Sequence, residues 1–570
     1  MTRDATPTAP LPAGPGRLER ALVAALWVAV AAYWALQYHP FVLPNNDYPT
    51  FERTAQSLAS LELPRDFQRM PVFPALMALV APLLPARHPF LHAALLLNLA
   101  FALATLALLY RLAARAYGRG ALLAPLLFAG TTQLHSMALQ PLVEPSLAFF
   151  VVLAFALFQA RSPWQYAAAW AAALSRYEAA LLVPVLALCN AVPERRLVRH
   201  AALAALATSG VVAWTALGAL HGSGGSTYLD MMEGMGFQPA TDFLERSFKE
   251  PFRGWYRESA GGLALFAAVI GVPLAAGVAV GWRRFRRETV ALLAFFALSV
   301  ATIVVFGINK ARYVYPTEWI PLFFFAAGLV RLVDAGAARL ARTPRWAAAA
   351  AAVAAGLAWL WLGRRAGLHL ARARGAAPAA LDVAFAAFLV TCAALWLAGA
   401  ARRPRAAFAA CALAALAVLT PAIAGGLDAK RREMWKVYYF NWPSYVAGRW
   451  LDAHLAPDER AAVVSPSHVR HGTALRPEQV VGFGALRAEE PAALAAELRA
   501  RGIRYALYTW RKPNETPSDV YYDKKLKAYL GEPLRAGGSV PGFEHVATLP
   551  LPPEVGRDPV QVYRVLPASP

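Results

Sequence analysis

Long apolar runs separated by short polar breaks dominate the chain. Ala21–Leu36, Leu91–Leu109, Ala201–Leu220 and Gly261–Val280 each approach or reach the roughly 20 residues a helix needs to cross a bilayer. Hydrocarbon offers a backbone no hydrogen-bond partner, so such runs must close their bonds internally as helices. Further runs lie at 121–139, 143–160, 289–306, 319–333, 346–362, 381–398 and 406–424. The stretch 164–192 reads as one long helix or as two short ones meeting near Arg176. Parity favours two, because the basic loops on either side, at 111–119 and 195–199, should face the same compartment. About thirteen spans result. Pro71–Leu84 is apolar but interrupted by Pro74 and Pro82, which suits an interfacial helix rather than a span.

After Asp428 the pattern changes. Tyr438, Tyr439 and Trp442 resemble an interfacial aromatic belt. Beyond them, strand-like pieces at 461–464, 505–509, 545–549 and 561–565 alternate with helical pieces at 444–454, 491–501 and 520–530. The expected fold is therefore an α-helical polytopic membrane protein with a C-terminal soluble α/β domain. Its expected parts are a disordered cytoplasmic N-terminus (1–20), a catalytic transmembrane module (21–335), additional transmembrane helices (336–428) and a soluble domain outside the cytoplasm (429–570).

Composition agrees with that division. Of 570 residues, 58% are hydrophobic, and mean hydropathy is +0.40. The net charge of +21 might suggest a nucleic-acid partner. The arginines instead collect between apolar runs, at 111/115/119, 195/196/199, 283–287, 339/342/345 and 402–405, as the positive-inside rule requires, and no nucleic acid is expected. The loop bearing Arg364, Arg365, Arg372 and Arg374 runs against this count, because it falls outside. Cys189, Cys392 and Cys411 all lie in apolar runs and read as core residues, not as a disulfide or metal framework.

Ionisable groups at the rim of a membrane bundle are costly and mark function. Five positions fall on the outward side: Asp47 with Tyr48, Arg69, Glu144, Arg176 with Glu178, and Lys310/Arg312/Tyr313. A carboxylate among several cations suits removal of a proton from an acceptor hydroxyl while guanidinium groups hold a departing phosphate. Plainer readings stand beside these. Arg69 and Arg312 could anchor to headgroups, Glu144 before Pro145 could open a helix, and His135 reads as a hydrogen-bonded core residue.

The stretch from Asp47-Tyr48-Pro49-Thr50-Phe51-Glu52-Arg53 through Arg69-Met70-Pro71-Val72-Phe73-Pro74 resembles the first outside loop of GT-C glycosyltransferases. It is similar to the protein O-mannosyltransferases and the lipid A aminoarabinose transferases. Leu142-Val143-Glu144-Pro145, Leu174-Ser175-Arg176-Tyr177-Glu178 and Ala311-Arg312-Tyr313-Val314-Tyr315-Pro316 follow in the same order. The resemblance covers roughly residues 20 to 335. It implies inverting transfer of a sugar from a polyprenyl-phosphate donor to a hydroxyl on a lipid, glycan or protein, at the outer face of a bacterial cytoplasmic membrane. It makes Asp47 the general base, Arg69 a phosphate contact, Arg176 and Arg312 phosphate or sugar contacts, and Glu144 an orienting group. Two departures stand out. Tyr48 occupies a position where many relatives carry a second acid, and Met70 separates Arg69 from Pro71. No cofactor is implied, since the lipid-linked sugar is the substrate, and no spacing of acids and histidines demands a metal. The competing reading is a lipid or glycan transporter or flippase without transfer chemistry. It would call for paired half-repeats with broken helices, which the runs do not show. A third reading, a non-catalytic membrane protein that binds through its tail, predicts that Asp47 can change freely.

Overall fold

The computed structural model describes residues 16–38, 47–64, 67–86, 88–221, 252, 270–305, 311–340, 379–400, 420, 423–429, 431, 442–464, 466–470, 473–483, 486, 488, 491–509, 540–551 and 559–567. It divides into two compact units. One comprises Met1–Tyr38, Thr50–Leu84 and Phe90–Arg431, and the other Arg432–Pro570 with the short stretches His39–Pro49 and Pro85–Pro89.

The first unit is helical. Its described helices are α1 (Arg17–Gln37), α2 (Tyr48–Ala59), α3 (Val72–Val80), α4 (Pro89–Tyr117), α5 (Leu123–Ala129), α6 (Thr132–Ala138), α7 (Glu144–Gln159), α8 (Gln165–Ala173), α9 (Leu182–Glu194), α10 (Leu197–His221), α11 (Val272–Arg284), α12 (Arg286–Val305), α13 (Tyr315–Leu340) and α14 (Ala380–Ala400). Seven helical stretches among the described residues are long and apolar enough to cross a bilayer, so the chain is a multi-pass membrane protein. Side-chain exposure agrees. On α10, Leu206, Val212 and Leu220 are 68%, 61% and 77% exposed, an apolar surface that lipid covers at no cost. The expected span at 346–362, all but residues 420, 423 and 424 of that at 406–424, and the helical piece 520–530 lie outside the described residues.

Two breaks shape the part of the bundle that matters below. Residues 164–192 do form two helical pieces. Helix α8 ends at Ala173, Arg176 is extended (φ −155°), and a 3-10 turn, Tyr177–Leu181, leads into α9. The run 121–139, expected as one span, is also divided. Helix α5 stops at Gly130, and Thr131 starts α6 by accepting a hydrogen bond from Leu134 N at 3.4 Å. A Gly followed by an N-cap Thr is a stop and a start that outweighs continuous apolarity.

Packing of the bundle relies on small residues and on a few buried polar ties. A Cβ on Gly277 of α11 would stand 1.7 Å from Phe324 O, and one on Gly328 of α13 would stand 1.7 Å from Pro273 O. These helices touch backbone to backbone, the contact that glycine permits and any side chain prevents. Helix α14 is tied to α1 by Tyr33 Oη, which donates to Asp382 Oδ1 at 2.8 Å. His135 is a core residue. It accepts from Trp34 Nε1 at 2.9 Å on one ring nitrogen, and its other lies 2.7 Å from Ala129 O.

The second unit carries a five-stranded sheet of order β2-β1-β3-β5-β4: β1 (Arg460–Val463), β2 (Val480–Gly482), β3 (Ile503–Thr509), β4 (Phe543–Leu549) and β5 (Val560–Val565). Strands β1, β2 and β3 are mutually parallel, and β5 runs antiparallel to β3 and β4. Successive residues of β3 serve opposite cores. Tyr505 and Leu507 pack with Leu451 and Val562, and Ala506 and Tyr508 with Leu494 and Leu498. Burial of both faces gives the apolar β1 and β3 their sequence. Strand β2, only three residues long, was not expected from the pattern.

Gly277→Ala is expected to force α11 and α13 apart and to cost about 1–3 kcal/mol, the usual range for overpacking. Thermal unfolding of the purified protein in detergent measures it.

Candidate functional site

Three separate stretches meet around Arg176. Proline at position 145 suits the first turn of α7, so the helix begins at Glu144 and the carboxylate stands at its mouth. The break after α8 leaves Arg176 outside any helical ladder and sends Glu178 into the following 3-10 turn. A second 3-10 turn, Ala311–Tyr313, carries Arg312 to the start of α13.

The geometry is that of a charge network. Arg176 donates to Glu144 Oε1 through Nη1 at 2.9 Å. Its other edge grips Glu178 with two bonds, Nη2 to Oε1 at 2.9 Å and Nε to Oε2 at 3.3 Å. Arg312 Nε stands 3.6 Å from the same Glu144 oxygen. The Tyr313 ring lies beneath both cations, 4.4 Å from the Arg176 guanidinium and 5.5 Å from that of Arg312. Glu144 is 1% exposed. Burial works against the charge on Arg176, but Glu178, Tyr313 and Glu144 overcome it and hold the guanidinium above the usual arginine range. The second oxygen of Glu144 is buried without a hydrogen-bond partner among the described residues, and so is the Tyr315 hydroxyl. A buried acceptor left unsatisfied is costly, and a ligand's donor would relieve it.

These charges line a small recess together with apolar residues, among them Leu147, Val151, Phe295 and Ile303. The arrangement suits an amphiphile with an anionic head and a hydrocarbon body.

Arg69 joins the network through its loop. Val72 N donates to Leu174 O at 3.1 Å, which ties the Arg69 loop to the turn that carries Arg176. Phe67, Met70, Leu174 and Trp214 share one small core. Trp214 Nε1 holds Arg69 O at 3.1 Å. The Arg69 side chain donates from Nε to Thr50 Oγ1 at 2.6 Å and stacks over Phe51 at 4.8 Å. It therefore packs on the first turn of α2. Asp47 immediately precedes α2, and Tyr48, its first residue, is fully buried. Lys310 lies outside the described residues.

No protein-family model matches the chain, and no curated protein matches it in sequence. Solved structures do match its shape. ArnT from Cupriavidus metallidurans in the apo state superimposes with a TM-score of 0.52 at 16% identity, covering 96% of this chain and 97% of that one. The same protein bound to undecaprenyl phosphate gives 0.51 at 16% identity, over 97% and 98%. The Archaeoglobus fulgidus oligosaccharyltransferase in complex with Zn and sulfate gives 0.50 at 11% identity, over 94% and 79%. The chain has the GT-C fold. Within that fold Glu144, Arg176, Glu178, Arg312 and Tyr313 form one contact network, and Arg69 is tied to it by backbone.

Residues to which the sequence assigned no role also lie beside these groups: Thr50, Trp214, Tyr315 and, next to the turn before Glu144, Asn98. Asn98 had a visible signal, a lone amide inside the apolar run 91–109. Thr50 and Trp214 had none, because their roles depend on partners 19 and 145 residues away.

Arg176→Met would leave Glu144 and Glu178 facing each other without their shared cation. It is expected to cost about 3–5 kcal/mol of stability. Adding Glu144→Gln to the same chain should recover part of that loss, with thermal unfolding as the measurement.

Proposed function

We propose that this protein is a membrane glycosyltransferase. It moves a sugar from a polyprenyl-phosphate donor to a hydroxyl of a lipid, glycan or protein at the outer face of the cytoplasmic membrane. The observation that carries the reading is the paired-arginine rim of Glu144, Arg176, Glu178, Arg312 and Tyr313 above an apolar-walled recess. The GT-C fold supports it, as does the occurrence of undecaprenyl phosphate in a protein of similar shape.

The chemistry follows from the groups available. The donor's phosphate enters the rim and its prenyl chain lies along Leu147, Val151 and Phe295. Asp47 accepts the proton of the acceptor hydroxyl as that oxygen attacks the anomeric carbon. The bond from the anomeric carbon to the phosphate oxygen breaks, its electron pair remains on the phosphate, and the configuration inverts. Negative charge grows on the leaving phosphate, where Arg69, Arg176 and Arg312 stabilise it. The second oxygen of Glu144 receives a hydrogen bond from the sugar.

The test is incubation of the purified chain with a panel of labelled polyprenyl-phosphate sugars, scoring released lipid phosphate and transferred sugar. Transfer from at least one donor is expected. Asp47→Asn is expected to lower turnover about 10²–10⁴-fold while lipid-phosphate binding persists. Asp47→Asn protein with unchanged turnover would remove the base assignment. Movement of intact donor across the bilayer without sugar release would make the protein a flippase.

A further inference from the structure

Asn98 is fully buried in α4, surrounded by apolar residues of its own helix. An amide in that setting costs free energy unless its hydrogen bonds are made. Its Nδ2 makes two, to Gln140 O at 2.6 Å and to Leu142 O at 2.7 Å. Both carbonyls belong to the irregular connection between α6 and α7, where no helical ladder serves them. Its Oδ1 has no partner among the described residues, so the side chain is held by its donors alone.

The connection ends in Glu144. Leu142 is two residues before it, and Pro145 follows directly. Glu144 Oε1 must meet two cations at once, Arg176 at 2.9 Å and Arg312 at 3.6 Å. The first is a charge-assisted hydrogen bond and the second an ion-pair contact, and a shift of the turn by about 1 Å would break the bond or part the pair.

We propose that Asn98 is a positioning residue, which pins the turn between α6 and α7 so that Glu144 engages Arg176 and Arg312 together. Its effect on the lipid phosphate rests on the transferase reading above; its effect on Glu144 does not. A purely structural amide would stabilise the bundle without any special coupling to Glu144.

A double-mutant cycle on the full chain in lipid nanodiscs separates the two, with undecaprenyl phosphate as the probe. Asn98→Leu and Glu144→Gln are each expected to weaken its binding about tenfold, and the double variant to bind no more weakly than Glu144→Gln alone. Unchanged affinity in Asn98→Leu, or losses that multiply in the double variant, would overturn the proposal. A second cycle uses thermal unfolding without lipid. The fall in Tm caused by Asn98→Leu should be smaller in the Glu144→Gln background, and an equal fall would overturn the proposal. If the unaltered chain binds no lipid phosphate, the transferase reading fails while the unfolding cycle still decides the role of Asn98. Asn98→Ser, which keeps one donor, replaces Asn98→Leu in both cycles should the latter not fold, with a smaller loss expected.

Discussion

A guanidinium shared between two carboxylates organises the helical unit. Arg176 bridges Glu144, 32 residues before it, and Glu178, 2 residues after it, and Arg312 also stands against Glu144. Breaking such a buried arrangement is expensive, because each removed partner strands a charge away from water. The elements that bring these groups together must therefore hold still. The unwound turn after α8, the abrupt start of α7 and the 3-10 turn before α13 all serve that end. Each is a place where a continuous helix would have carried its charge elsewhere.

The same arrangement leaves the rim nearly neutral. Among the described residues the network sets two arginines against two glutamates, and the Arg312–Glu144 contact is the longer. Arg176 is committed to a carboxylate on both edges. The recess is also lined by Leu147 and Val151 of α7, one and two turns on from Glu144. Successive turns of α7 thus offer first a charged and then an apolar surface.

Much of this was legible in the sequence, and for physical reasons. Charges in a membrane bundle are rare enough that Glu144, Arg176 and Arg312 stood out from their runs, and the structure brings these three into one network. Parity of the basic loops located the break near Arg176. Strands β1, β3, β4 and β5 showed as short strand-like pieces between helical ones. What the pattern concealed depends on position rather than composition. The division of 121–139 rests on the backbone of Gly130 and Thr131, and an apolar run looks the same with or without it. Strand β2 is too short to carry a period. The partnership of Thr50 and Trp214 with Arg69, and of Asn98 with the turn before Glu144, needs the folded chain to become visible.

The central claim is that the arginine rim receives a lipid phosphate, and a cryo-EM map of the chain with undecaprenyl phosphate in nanodiscs addresses it most directly. The account predicts phosphate density within hydrogen-bonding distance of Arg312, with the prenyl chain running along Leu147 and Val151. Density bound elsewhere, with the Glu144–Arg176–Arg312 contacts intact and the recess unoccupied, would contradict it.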